Sequence, residues 1–249
     1  APWEEMEKHG VDPLRFWMYS VNKPGESKHF DTATVGEIVR KVFNILDNIY
    51  AFYELYRDQE IESNAGSFIS SNILDRWILT RLSNLVNSST SKLDSYKLLE
   101  PTREIREFID DLSIWYLRRS RDRLKNGDKD AKYTLYFVLK TMSKILAPFS
   151  PFFAENLYQK LRLENDKESV HLEDWPEEGM IDLDVGVFMK ETRKIVSLAL
   201  EARSKANIKV RQPLSELKIK NKKLGEEFLD LIRDELNVKH VVIDGNLES

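Results

Sequence analysis

Cysteine is absent from the 249 residues. That removes disulfides, thiol nucleophiles and cysteine-type zinc sites together, and it fits a reducing compartment. Glycine (9) and proline (8) are scarce for this length, so turns are few and elements are long. Neither a G-x-x-x-x-G-K-[ST] nor a G-x-G-x-x-G phosphate loop occurs. The four histidines, His9, His29, His171 and His240, lie far apart without ligand spacing and read as ordinary surface or loop residues. Acidic neighbours such as Asp110-Asp111 and Glu226-Glu227 do not face each other on a helix, so they are poor candidates for paired-carboxylate chemistry. No apolar run approaches the roughly 18–20 residues of a membrane span, and no basic-then-apolar opening resembles a signal peptide. By itself the chain reads as non-catalytic, with no metal site, no cofactor of its own and no membrane contact.

What is present is helix. Hydrophobic residues make up 41 % and aromatics 10 %, enough for a real core, while 32 % charged residues imply long solvated helical faces. The net charge of -4 means that any nucleic-acid contact must come from a local basic patch rather than from the field of the whole molecule. The chain opens without Met, at Ala1-Pro2-Trp3, inside what reads as a helix, so the expectation is a segment of a longer protein.

Residues 2–21 predict two short helices, with Asp12-Pro13 read as an N-cap followed by proline at the first helical position. Residues 22–31 are a polar loop. Apolar residues at helical spacing predict a long amphipathic helix from Thr32 to about Tyr56, a connection over 57–70 and a second long helix over 71–95. A third runs from Leu99 to Lys125 and stops at Asn126-Gly127. Asp128 caps a fourth, which carries Tyr133, Tyr136, Phe137, Leu139 and Leu146 and ends at Pro148. Ser150-Pro151 caps a shorter fifth, through Leu161. Residues 169–172 read as extended and 183–206 as helical, and residues 214–245 read strand–helix–strand. The fold class is therefore mainly α, an antiparallel helical bundle with a small C-terminal α/β appendage. The expected divisions are 1–31, 32–212 and 213–249.

One stretch stands against the acidic background: SIWYLRRSRDRLK, Ser113 to Lys125. On a helix of about 100° per residue, Ile105, Phe108, Ile109, Leu112, Trp115 and Tyr116 share the core face, while Arg118, Arg121 and Lys125 point outward. The outward three read either as a solvated face, with Asp122 pairing weakly to Arg118, or as a strip that neutralises adjacent phosphates. Arg119 and Arg123 fall back toward the apolar side, where a guanidinium needs a carboxylate or carbonyl. A structural pairing and a nucleotide contact both stand for these two.

Several stretches together resemble class Ia aminoacyl-tRNA synthetases. DDLSIWYLRRSRDRLK followed by DKDAKYTLYFVLKTMSKILAPFSPFFAENLY resembles their anticodon-binding helical domain. More narrowly, SVHLEDWP (Ser169 to Pro176), ANIKVRQPL (Ala206 to Leu214), LDRWILTRL (Leu74 to Leu82) and PGESKHF (Pro24 to Phe30) resemble the isoleucyl branch of that family. The opening PWEEMEKHGVDPLRFWMYS resembles the segment that follows the K-M-S-K-S loop in these enzymes. The resemblance covers nearly the whole chain in order, but neither H-I-G-H nor K-M-S-K-S is present.

The resemblance implies the tRNA-gripping part of an enzyme that joins isoleucine to its tRNA with ATP and Mg. Its partners are then the isoleucine-accepting tRNA and the rest of the synthetase chain, in a cytoplasmic monomer. Some family members carry a C-terminal cysteine zinc module, which a cysteine-free chain either ends before or lacks. The implied tRNA contacts are Arg118, Arg121, Lys125, Arg119 and Arg123, a second cluster of Lys205, Lys209 and Arg211, and Arg15 in a stem-contact segment. Trp115 and Tyr116 are expected to pack in the core. Three other readings stay open: a valyl- or leucyl-type relative, a helical protein-interaction module without an RNA role, and non-specific RNA binding by the basic strip alone.

Overall fold

A computed structural model describes residues 2–23, 25–58, 70–220 and 224–244. The connection expected over 57–70 lies mostly outside the described residues, which resume at Ser70. Several helices begin behind a short polar side chain that accepts from a first-turn backbone N–H. Helix α1 spans Pro2–His9 and α2 spans Val11–Ser20. Helix α3 starts at Thr32–Ile38 behind Asp31, whose carboxylate accepts from Ala33 N. It passes through a π-helical stretch, Val39–Phe43, and continues as Asn44–Leu55. Helix α4, Ile73–Asp94, is capped by Asn72 on Leu74 N. Helix α5 runs Leu99–Asp110, becomes π-helical over Asp111–Leu117 and ends as Arg118–Lys125. Gly127, at φ 81°, turns the chain, and Asp128 caps α6, Lys129–Leu146, on Ala131 N. Helix α7 is Pro151–Leu161.

The chain forms two compact units, Ala1–Ile181 and Asp182–Ser249. In the first, α6 packs on α7 and α4, and α5 packs on α4, α6 and α2. Short turns set neighbouring helices antiparallel. Trp77, Ile78, Leu82, Ile105, Phe108, Tyr116, Leu139 and Tyr158 fill the centre and are nearly or wholly removed from solvent. Edge-to-face contacts of Phe43 with Phe16 and Phe153 tie α2, α3 and α7 together. The segment after α7 is strapped over the bundle: Trp175 Nε1 donates to Thr90 Oγ1 at 2.8 Å. Farther on, a Cβ at Gly179 would lie 2.5 Å from Ser83 Oγ, so glycine permits the close approach.

The second unit holds α8, Leu183–Lys205, β1, Leu214–Ile219, α9, Glu226–Leu236, and β2, Val238–Ile243. The strands pair in parallel, Leu214 opposite Val238 and Ile219 opposite Ile243, because a helical crossover lies between them. Helix α9 buries Phe228, Leu231, Ile232 and Leu236 and packs against α8. The chain is thus mainly α, with a small α/β element at its C-terminal end.

Four local expectations are corrected. Asp12 does not cap its own helix. It lies buried in the first turn of α2, and its Oδ2 accepts from Phe153 N of α7 at 2.6 Å. Correspondingly, Ser150 makes no side-chain cap bond at the start of α7, since Asp12 supplies the acceptor from 141 residues away. Residues 170–172 form a 3₁₀ turn rather than an extended segment. Phe137 faces solvent although it sits among the apolar residues of α6.

Candidate nucleic-acid interface

The π-helical stretch of α5 decides which arginines face where. A regular helix carries the buried series Ile105, Phe108, Ile109, Leu112 on to 115 and 116. The extra residue of the wider turn instead buries Tyr116, Leu117, Ser120 and Leu124. Trp115 is consequently only half-buried, which corrects its expected place in the core, whereas Tyr116 is fully buried as expected.

Beyond the bulge, Arg118, Arg121 and Lys125 are exposed and Arg119 is half-buried. Arg118 Nε donates back to Ile114 O at 2.8 Å. Arg121 has no carboxylate partner among the described residues; its guanidinium lies over the Phe52 ring of α3, 5.6 Å from the centroid. Phe52 in turn contacts Tyr56 at 5.1 Å between ring centres. Lys125 stands 3.9 Å from Asp122, an exposed pair of little energetic weight. Three outward cations thus run along one helix beside two half-buried aromatic rings.

Arg123 is different. Its Nη1 and Nη2 donate to both oxygens of Asp75, at 2.9 and 2.7 Å, and its Nε donates to Asp128 at 2.8 Å. Asp75 is 0 % exposed and also accepts from Tyr116 Oη (2.9 Å) and Ser70 Oγ (2.7 Å). Burial pulls the Arg123 pKa down, but the bonds to Asp75 and Asp128 outweigh it and hold the group above its usual value. Burial raises Tyr116 well above its usual value, and the Asp75 charge adds to the effect. Asp128 experiences burial as well, yet the Arg123 bond and Ala131 N–H keep it below the usual carboxylate range. This network pins α4, α5 and the start of α6 at the base of the cationic strip.

Arg15 donates to Pro148 O at 3.3 Å and lies 5.7 Å from the Tyr19 ring centre. In the second unit, Lys205, Lys209 and Arg211 are all exposed. Lys205 pairs with Glu201 at 2.7 Å, whereas Lys209 and Arg211 meet no carboxylate among the described residues. These three lie in the second unit and the α5 strip lies in the first.

The first unit also holds a groove of about 1050 Å³, lined in part by Tyr133, Phe137, Lys140 and Lys144. Its lysines are already matched, Lys140 to Asp166 and Lys144 to Glu173, so it offers little unbalanced positive charge. Among the described residues, no group of three His, Asp or Glu could hold a metal ion, and no helix is long and apolar enough to cross a membrane.

Sequence reasoning missed Phe52 and Tyr56, although YAFYELYR at the end of α3 is an aromatic-rich signal at helical spacing. It also missed Asp75 and Arg203, whose ties to Arg123 and to Leu236 O span 48 and 33 residues and cannot be read from local pattern.

The first unit is thus a helical bundle that carries an exposed basic strip, and comparison with known families places it. Residues 75–219 match the anticodon-binding domain of tRNA ligase, and the chain belongs to that family. The relatives it resembles include the isoleucine–tRNA ligases of Clostridium acetobutylicum, 41 % identical over 258 aligned residues, and Clostridium novyi, 40 % identical over 258. Each alignment covers 99 % of this chain and 25 % of the relative, so the chain spans about a quarter of their length. Among solved structures, the ternary complex of Agrobacterium radiobacter K84 agnB2 LeuRS-tRNA-LeuAMS aligns with a TM-score of 0.46 at 16 % identity, over 75 % of this chain and 21 % of that one.

Proposed function

We propose that this chain is the tRNA-gripping portion of an isoleucine–tRNA ligase. Arg118, Arg121 and Lys125 lie against the phosphates of the anticodon arm, and the Phe52–Tyr56 edge offers unpaired bases a stacking surface. The carrying observation is Arg121, exposed, without a carboxylate partner among the described residues and laid on the Phe52 ring. A cation that rests on an aromatic face presents charge and a planar surface together, the combination that single-stranded nucleic acid uses. Arg123 serves as scaffold under the strip. Lys209 and Arg211 form a second phosphate contact, while Lys205, held by Glu201, and Arg15, turned toward Pro148 O, contribute less. In the whole enzyme, ATP and Mg are handled by sequence carrying H-I-G-H and K-M-S-K-S, which is not in this chain. The enzyme acts as a cytoplasmic monomer on isoleucine-accepting tRNA. The isoleucine–tRNA ligase relatives favour this reading over a valyl- or leucyl-type one.

A salt titration of binding to isoleucine-accepting tRNA and to a tRNA of different anticodon tests it. The logarithm of affinity is expected to fall linearly with the logarithm of salt concentration, by about 0.7–0.9 per neutralised phosphate. The isoleucine-accepting tRNA is expected to bind tighter at every salt concentration. Equal affinities reduce the strip to a non-specific RNA contact, and no binding to either tRNA leaves the helical protein-interaction reading.

A further inference from the structure

In the second unit Arg203 is the one charged side chain that is buried among the described residues. It sits in the last turn of α8, 5 % exposed, beside an apolar hollow of about 220 Å³ walled by Ala199, Ala202, Leu236 and Val238. Among the described residues no carboxylate meets it. Its guanidinium donates to four carbonyls instead: Lys209 O (3.4 Å) and Gln212 O (3.0 Å) in the turn after α8, and Leu236 O (2.6 Å) and Asn237 O (3.4 Å) at the end of α9. The end of a helix is rich in unsatisfied carbonyls and carries the negative end of its dipole, so it suits a buried cation. Asn237, left-handed at φ 49°, adds a second tie, with Nδ2 donating to Val210 O at 3.1 Å.

Three carbonyls of one short turn, those of residues 209, 210 and 212, are thus drawn toward Arg203 and Asn237. The side chains of Lys209 and Arg211 are left exposed. An anion approaching this turn therefore meets two cations with those three oxygens already engaged. We infer that Arg203, assisted by Asn237, is a positioning residue that holds the 206–213 turn as a preformed phosphate-binding element. This rests on the proposed tRNA contact by Lys209 and Arg211. Holding the turn before binding removes the ordering cost that a loose basic loop meets on association.

The test uses the full 249-residue chain and an isoleucine-accepting tRNA transcript. Arg203→Gln is expected to weaken binding about fivefold and to flatten the salt dependence by the share of one or two phosphates, as Lys209→Ala with Arg211→Ala does. Combining all three substitutions is expected to give no further loss, because the latch acts through those cations. Trypsin is expected to cut after Lys209 and Arg211 about tenfold faster in Arg203→Gln than in wild type, since cleavage at a site follows its local opening. Arg203→Lys, which can reach some of the carbonyls, is expected to recover part of both effects. Should Arg203→Gln not fold, Asn237→Gly keeps the left-handed backbone and deletes only the tie to Val210, with a smaller change of the same kind in trypsin rate and salt slope. Unchanged trypsin rate and salt slope in the variant used, or a loss that adds in full to that of the double alanine variant, overturns the latch. If the double alanine variant itself binds like wild type, the turn does not contact tRNA, and it is the functional reading of the turn that falls.

Discussion

Arg123, half-buried in the first unit, and Arg203, buried in the second, each lie beside a basic element, yet they are neutralised by different means. Arg123 faces two carboxylates, one of them wholly buried. Arg203 faces carbonyls alone. A carboxylate partner is an obligation on both sides, because removing the arginine strands a negative charge inside the protein. A carbonyl cage is looser, because each oxygen deprived of its donor loses one hydrogen bond and no charge is left behind. The first arrangement fixes where three helices meet, and the second fixes one turn.

The largest expected effect follows directly. Arg123→Met leaves Asp75 buried with only hydroxyl donors, and a loss of about 3–5 kcal/mol in unfolding free energy is expected by denaturant titration. Adding Asp75→Asn to that variant is expected to recover part of the loss, since the stranded charge is gone. If the two substitutions simply add, Arg123 and Asp75 are not acting as a pair.

A smaller effect separates the two aromatic neighbours on α5. Trp115→Ala is expected to cost roughly 1–2 kcal/mol, less than the roughly 3–5 kcal/mol of a fully buried tryptophan, because the π-helical stretch turns Trp115 half out of the core. A full core-sized loss in a melting experiment would place it back inside. This residue also marks where sequence pattern stops being legible. Helical spacing located the long helices among the described residues and placed Ile105, Phe108, Ile109 and Leu112 inward, because those residues obey one period. One inserted residue then shifts the phase, and no composition signal announces it. The strand–helix–strand tail was readable from its change of period. The partners Asp75 for Arg123 and Phe153 for Asp12 were not, since 48 and 141 residues separate them. Of the candidate interface, the outward cations were legible, and the aromatic ring beneath Arg121 was not brought to them by any spacing.

Acid distinguishes two aspartates that both cap a helix. Asp128 is held below the usual carboxylate range, burial being outweighed by Arg123 and Ala131 N–H. Its contribution is therefore present above the unfolded pKa of about 4 and is lost as pH falls through its lower folded value. Asp12 is raised, because burial outweighs the Phe153 N–H bond and the Arg15 charge. The stability it contributes is full below the unfolded value and is lost as pH rises through the raised folded value. Asp128→Asn is therefore expected to lower the melting temperature at neutral pH by an amount that shrinks below about pH 4. Asp12→Asn, still able to accept from Phe153 N, is expected to gain relative to wild type as pH rises from acid. Parallel pH dependence of the two variants would contradict the opposite shifts.

The smallest expected change in stability belongs to the residues with the largest expected effect on binding. Arg118 and Arg121 are exposed, and the one aromatic contact of Arg121 is at the surface. Replacing both with glutamate is expected to leave the melting temperature close to wild type, because exposed charges carry little folding energy. Under the proposed tRNA contact, the same double substitution removes two phosphate partners and adds repulsion. Affinity for isoleucine-accepting tRNA is therefore expected to drop by at least tenfold near physiological salt, with a salt dependence flatter by about two phosphates. Arg123→Met reverses the pattern, costing stability while leaving the salt slope of the remaining folded protein unchanged. If instead the glutamate pair unfolds the bundle, the strip is part of its scaffold like Arg123, and the division of α5 into an outward binding edge and an inward structural arginine does not hold.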